Sequence, residues 1–465
     1  MARHFRPEDR DQSLLFPASV ADYLPEDHPA RFVWDVVNQL DKEGKLQAFY
    51  DWYRPDGKGG QPYHPRTMLA VMLFAYTRGV TSSRKIAREC VENVGFRFLT
   101  ANQQPDFRSF ASFRKRHLDA FQKLFVDVLK LCEAAGLVEL GRVAIDGRRV
   151  QGNASRDTTF TREAIDEKIT ELSKEILKEA ERVDAAEDEE LGDRQGDELP
   201  KGLRTKQERL ERLKKAREDL DERERKAYAE YQAKLEARKR FEEETGEKKR
   251  GPLPKAPDPS KPKRKNGKKK HPPKANTTDP DSRLMKTLDG FKQGYNAQIA
   301  SDEKSQVIVS SHVTQDTVDT RQLAPSIDQI QENLGRLPDQ AVADTGYWSP
   351  ENAELEDLRG IEILIATQKD SKQRTAAERA SAPKGRIPRG LTARELMERK
   401  LLTKRGREAY RSRGPTVEGV FGQMVTRGLS RFLLRGLKAV QAEWSLWCAT
   451  HNLEKLLRHW QLRIA

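Results

Sequence analysis

The chain has 465 residues, too many for one ordinary compact domain, and 86 lysines and arginines against 73 aspartates and glutamates leave a formal charge of +13. That excess points toward a polyanionic partner. Cys90, Cys132 and Cys448 lie far apart, which argues against a disulfide framework or a cysteine-based zinc site; the charged start MARHFRPEDRDQ and the lack of an apolar run near ~20 residues argue against export or membrane embedding, so a cytoplasmic protein is expected.

From Pro29 to Gly136 apolar residues recur at helical spacing (Met68, Leu69, Val71, Met72, Ala75; then Phe113, Leu118, Phe121, Leu124, Phe125, Val128, Leu131), which predicts an all-helical N-terminal domain over residues 1–138. Within it, TMLAVMLFAYTRGVTSSRKIARECVE reads as a helix, a turn at Gly79 and a serine-capped second helix carrying Arg84, Lys85 and Arg88. This is a helix-turn-helix candidate for DNA contact, and Arg108, Arg114, Lys115 and Arg116 in FRSFASFRKRH form a second basic cluster. An ordinary helical hairpin with solvated basic faces has the same pattern.

At LVELGRVAIDGRRVQGNAS the period changes: Val143 and Ile145 alternate toward Asp146 and Gly147, as in a strand that ends in a turn with the carboxylate at its tip. Residues 161–245 are highly charged. Ile165, Ile169, Leu172, Ile176 and Val183, and after a turn at Gly192, Gly196 and Pro200, Leu210, Leu213, Leu220, Ala227 and Tyr231, keep the spacing of an antiparallel coiled coil. Residues 246–275 are rich in lysine and proline, as expected of an extended basic linker whose charge either contacts phosphates or is simply solvated.

Beyond the linker, NAQIASD and QVIVSSHV predict two short strands joined at Asp302 to Ser305, then a helix from Thr320 to Leu334. A short strand, Ala341 to Ala343, leads into Asp344; Ser349 and Pro350 open a helix, and 361–367 is a further strand. From Gln368 to Arg413 the chain is basic and poor in apolar residues. Helical spacing resumes at Val417, Val420, Phe421 and Met424, which places Glu418 in a first helical turn. The expected fold is α/β, residues 139–160 and 276–465 forming one domain that the coiled coil interrupts.

Two strand-tip aspartates and a helix-borne glutamate suit hard divalent cations, and two such ions about 3.5 to 4 Å apart activate a nucleophile and stabilise the leaving oxygen in phosphodiester chemistry. Each carboxylate alone also has an ordinary reading, as a turn residue or a helix cap. Asp279, Asp281 and Arg283 in DPDSR read as turn chemistry, Asn296 and Gln298 as residues that could orient the metal ligands, His312 as structural, Trp348 as a core or helix-capping residue with stacking on a splayed base as the alternative, and Trp444, Trp447 and Trp460 as core.

The strings VAIDGRRVQGNAS, NTTDPDSRLMKT, GYNAQIASDE, VADTGYWSPENAELE and YRSRGPTVEGVFGQMVTRGLSRFLLRGL resemble those of bacterial insertion-sequence transposases of the DDE class; FRPEDRDQSLLFPASVADYLPEDHPAR and YHPRTMLAVMLFAYTRGVTSSRKIA resemble that family's helical DNA-binding domain. The resemblance implies a ribonuclease-H-like mixed sheet, metal-binding catalytic carboxylates at Asp146, Asp344 and Glu418, and two Mg2+ ions, with Mn2+ as a substitute. It also implies double-stranded DNA partners, both terminal inverted repeats and target DNA, bridged by a homo-oligomer on the bacterial nucleoid. Tyr410 and Arg413 match a superfamily signature that contacts the DNA backbone. The spacing to Glu418 is one residue longer than usual, and the lysine position near Met424 and Val425 is apolar, with Arg427 as the nearby substitute. The rival expectations are a non-catalytic, domesticated DNA-binding or architectural protein, and a nuclease on the same fold.

Overall fold

The computed structural model describes residues 19–53, 61–190, 201–246, 248, 253–257, 273–287, 290–369, 372–373, 375, 380–388 and 390–464, with the backbone alone for 180–190, 201–205 and 464. The N-terminal string up to Ala18, the predicted turn at Gly192, Gly196 and Pro200, and most of the basic linker lie outside the described residues.

Among the described residues seven α-helices come first: α1 (Pro29–Lys42), α2 (Gln47–Tyr50), α3 (Pro65–Thr77), α4 (Ser83–Glu92), α5 (Val94–Leu99), α6 (Phe107–Arg116) and α7 (Leu118–Ala134). Helix α3 is buried almost all round, from Met68 to Tyr76, and so forms the axis of this layer. Between α3 and α4, Gly79 adopts φ +72°, and a Cβ there would meet the Arg427 carbonyl oxygen at 2.6 Å, so only glycine fits the turn. Ser82 is the N-cap residue of α4, but its hydroxyl makes no cap hydrogen bond.

The sheet comprises β1 (Arg142–Gln151), β4 (Arg283–Thr287), β5 (Gly290–Asp302), β6 (Ile308–Thr314), β7 (Gln340–Ala343) and β8 (Glu362–Ile365); β2 (Thr159–Thr161) and β3 (Lys274–Asn276) form a separate pair. The main order is β4-β5-β1-β7-β8, and β6 pairs with the far half of β5 beside β4. β1 runs antiparallel to β5 and parallel to β7, and β7 parallel to β8. Val143, Ala144 and Ile145 are all buried, as is the whole of β7, so both faces of the sheet centre are covered.

Helix α10 (Leu323–Leu334) lies on β5 and β6, and α11 (Pro350–Arg359) packs beside β8. The stretch that is basic and poor in apolar residues carries α12 (Ala393–Leu402) and the start of α13 (Lys404–Thr426). The apolar signal was weak because the inward face of α13 is built from Gly406, Ala409, Tyr410, Arg413 and Gly414 before Val417, Val420, Phe421 and Met424. Pro415 sits inside this helix, where its carbonyl accepts Gln306 Nε2 at 2.9 Å from the β5–β6 hairpin. Glu418 is therefore deep in a 23-residue helix, not in a first turn.

The last helix, α14 (Leu437–Ile464), carries Trp444 and Trp447 into the core, and Trp444 Nε1 donates to the Gln298 carbonyl at 3.1 Å. It also packs on α7, and meets α3 through a Tyr76–Trp447 ring contact and α1 through Phe32–Trp460, so the N-terminal helices and the sheet share one hydrophobic core. The DPDS segment does more than turn. Asp281 accepts Leu437 N–H at 2.8 Å and the buried Asp279 accepts Gly436 N–H at 3.0 Å and the Tyr295 hydroxyl at 2.8 Å, which together cap α14.

The insertion is a helical hairpin of α8 (Arg162–Glu190) and α9 (Lys201–Thr245) with its own core of Ile165, Leu172, Leu213, Ala216, Leu220 and Ala275. Its apolar stripe stops at Leu220, where the antiparallel partner begins, and Ala227 beyond is exposed. Arg283–Asp219 at 2.8 Å and Arg321–Glu230 at 3.3 Å tie α9 to the β4 edge and to the segment before α10. Among the described residues no helix is long and apolar enough to cross a membrane.

Candidate active site

The expectation that Asp146 ends a strand is corrected by the register. β1 continues to Gln151 because β5 pairs with it throughout, Asp146 opposite Ile299, whereas the parallel neighbour β7 ends at Ala343, opposite Ile145. Asp146 thus stands one residue past the last β7 pair, next to the point where the chain leaves β7 at Asp344. Adjacent parallel strands deliver both aspartates to one end of the sheet, where open α/β sheets carry their sites.

Each carboxylate is held by its own backbone: Asp146 Oδ1 accepts Gly147 N–H at 2.7 Å, and Asp344 Oδ1 accepts Gly346 N–H at 2.8 Å as the N-cap of a single 3-10 turn, Thr345–Tyr347. Burial, and then the Asp344 charge, push the Asp146 carboxyl up to about 7. Asp344 is also raised, chiefly by burial, although the Gly346 N–H and Arg413 oppose the shift.

Arg413, only 4% exposed, reaches between the strands and α13: one guanidinium nitrogen is 3.5 Å from Asp146 Oδ2 and another 3.1 Å from Glu418 Oε1. Burial works against its charge, but Asp146, Tyr410, Asp344 and Glu418 outweigh it and raise its pKa. Glu418 is 59% exposed and is linked to Asp146 through this arginine. Among the described residues no three histidine, cysteine or acidic side chains lie close enough together to hold a metal ion. Tyr410 is buried, with the Arg413 guanidinium 5.8 Å from its ring centre, so both signature residues face inward here rather than outward to a ligand.

Two further arginines have partners inside the fold. Arg427 pairs with Glu454 and donates to His451 Nδ1 at 3.1 Å, inside the α13–α14 junction. His451 is held down to about 3, by burial first and then by Arg427, so it stays neutral as that acceptor. Arg114 is 3% exposed and bonds to the Thr81 carbonyl and Ser83 Oγ, both at 2.9 Å, and to the Tyr76 hydroxyl at 3.3 Å. It braces the α3–α4 turn and is closed to an outside partner. Arg84, Lys85, Arg88 and Lys115 are exposed, and Arg84 sits 5.2 Å over the Phe107 ring.

One acidic residue near the site carried no sequence signal that singled it out. Asp319, 7% exposed, accepts Asn296 Nδ2 at 2.7 Å and Gln298 Nε2 at 2.9 Å on Oδ1, and Arg149 at 2.6 Å on Oδ2. Asn296 and Gln298 therefore bond directly to Asp319. His312 bonds to Gln322 Oε1 at 3.1 Å, as a structural residue would.

Two half-buried aspartates thus stand on adjacent parallel strands, beside a helix that carries Glu418. A transposase domain model (DUF772) matches residues 18–116, from before α1 to the end of α6, and a transposase DDE domain model matches residues 371–457, which include Tyr410, Arg413, Glu418 and Arg427. No curated protein and no solved structure matches the chain significantly. The two matches, one on each side of the Asp146 and Asp344 strands, support an insertion-sequence transposase of the DDE type. Such transposases act on DNA and generally use divalent metal ions.

Proposed function

We propose that the chain binds the terminal inverted repeats of its own mobile element and cleaves and joins DNA strands there, on a ribonuclease-H-like sheet, with Asp146, Asp344 and Glu418 as its metal-binding carboxylates. The observation that carries this reading is the delivery of Asp146 and Asp344 by parallel neighbours to one point, where burial and mutual repulsion disfavour their charges until a cation arrives. The strand order, with one antiparallel member and a carboxylate-bearing helix laid on β1 and β5, supports the fold assignment.

The donor set fits Mg2+, with Mn2+ as a substitute, at two sites: all candidate ligands are carboxylate oxygens. Bound there, two divalent ions would polarise the scissile phosphate and favour ionisation of the attacking hydroxyl. Asp146 and Asp344 are fixed by the Gly147 and Gly346 N–H groups, so the strand pair presents them with little freedom left to lose. Glu418, exposed on α13, approaches from the helix side. Arg413 balances the carboxylates in the protein alone, and its planar fork suits a phosphate oxygen once it turns outward. Exposed Arg84, Lys85, Arg88 and Lys115 supply a basic surface on α4 and α6 for the DNA backbone.

The test is Asp146→Asn on duplex DNA carrying a terminal repeat. The variant should bind the repeat as the parent does and lose Mg2+-dependent nicking; nicking at the parental rate would reject the assignment. Joining of the cut 3′ end to a second duplex separates a transposase from a nuclease on the same fold, and a mobility shift without cut product would indicate an architectural protein.

A further inference from the structure

We propose that Asp319 is a positioning residue for the carboxylate pair, fixing the Asp344 turn against β1 and adding its charge to the pull on a cation; this rests on the carboxylate reading above. The geometry around it has no slack. A Cβ on Gly147 would come within 2.8 Å of Asp319 Oδ1 and 2.0 Å of Gln298 Nε2, and one on Gly346 would come within 3.2 Å of Asp319 Oδ2 and 3.0 Å of Asp344 Oδ1. The glycines in Asp146-Gly147 and in Asp344-Thr345-Gly346 thus leave the space that Asp319 and Gln298 fill.

The same segment is sewn to the turn. Thr320 Oγ1 donates to the Gly346 carbonyl at 3.0 Å, and Asn352 Nδ2 donates to the carbonyls of Thr320 at 2.7 Å and Tyr347 at 2.6 Å. The buried Tyr347 hydroxyl donates to Gln298 Oε1, whose amide donates to Asp319. A bond path therefore runs from β5 through Asp319 to the turn that presents Asp344. Its two oxygens already accept three donors, one of them Arg149, so Asp319 acts through its neighbours rather than as a ligand itself.

The test uses the full chain without DNA and reads Mn2+ binding by titration calorimetry, with Asp146→Asn and Asp344→Asn as controls. Asp319→Asn should weaken Mn2+ binding by about 10- to 100-fold, the range for residues that orient metal ligands, and should raise the Mn2+ concentration for half-maximal nicking by a similar factor. Because Asp319→Asn also strips Arg149 of its partner, the double variant Asp319→Asn, Arg149→Gln removes the orphaned charge; it should recover thermal stability without recovering Mn2+ affinity. Parental Mn2+ affinity in either Asp319 variant would overturn the inference and leave the carboxylate reading standing. Mn2+ binding indifferent to Asp146→Asn and Asp344→Asn would remove the carboxylate reading, and this inference with it.

Discussion

Replacing Asp146 by asparagine should stabilise the metal-free protein while it destroys the site. In the fold this carboxyl is pushed up to about 7 from 3.8, by burial first and by Asp344 second. At ~1.4 kcal/mol per pH unit, the charged form is disfavoured by at most ~4 kcal/mol. Asparagine forfeits the Asp146–Arg413 pairing, and the side chain keeps 20% exposure to screening solvent, so ~2 kcal/mol is the working figure. The folded state holds this proton more tightly than the unfolded chain. Stability is therefore present in full below about pH 4, falls as pH rises toward 7, and levels off above it; the asparagine variant lacks that decline. Thermal unfolding in EDTA at pH 5, 6, 7 and 8 should show the variant gaining on the parent, by a few degrees in Tm at pH 8. Excess Mg2+ should close the gap by stabilising only the parent. A variant less stable than its parent at pH 8 in EDTA, or an offset independent of pH, would refute the electrostatic account of the pair.

Arginines of the helical layer should divide by burial. Arg114→Ala should cost about 2–4 kcal/mol in denaturant unfolding, since it leaves Tyr76, Thr81 and Ser83 without their partner, whereas Arg84→Ala, Lys85→Ala and Arg88→Ala should leave stability within ~0.5 kcal/mol and each flatten the salt dependence of DNA binding by about one charge. Gly79→Ala should destabilise by more than ~1 kcal/mol, because φ +72° strains alanine and the added methyl meets the Arg427 carbonyl; equal midpoints in urea would contradict this. Deleting residues 161–241 should lower the number of protomers per assembly, read as the light-scattering mass divided by the mass of the shortened chain, if the helical hairpin joins protomers, and an unchanged number would place self-association elsewhere.

Much of this organisation is readable in the amino-acid order, and the failures share a cause. The insertion helices, the β5–β6 hairpin and the Ser349–Pro350 helix start follow local rules of period and capping, and Asp344 falls where the short apolar strand stops. The extension of β1 past Asp146 depends on β5, more than 140 residues away, and no local Asp-Gly rule can report it. Helix α13 hides because its buried face uses glycine, tyrosine and a charge-compensated Arg413 where apolar residues would mark it. Arg114 and Arg427 resemble surface cations in sequence, and only tertiary partners show them to be internal braces. Asp319 is silent for the same reason: its donors Arg149, Asn296 and Gln298 come from two other strands.

Glu418 is the least constrained of the three carboxylates, exposed on α13 and linked to Asp146 through Arg413, so it gives the sharpest test of a shared metal set. The measurement is the rate of Mg2+-dependent cutting of a terminal-repeat duplex by Glu418→Gln at saturating protein, with duplex binding measured in parallel. If the three carboxylates act together, binding persists and cutting falls by more than about a thousandfold, as loss of one member of a catalytic unit does. Cutting at the parental rate, with binding intact, would contradict a site built on Asp146, Asp344 and Glu418.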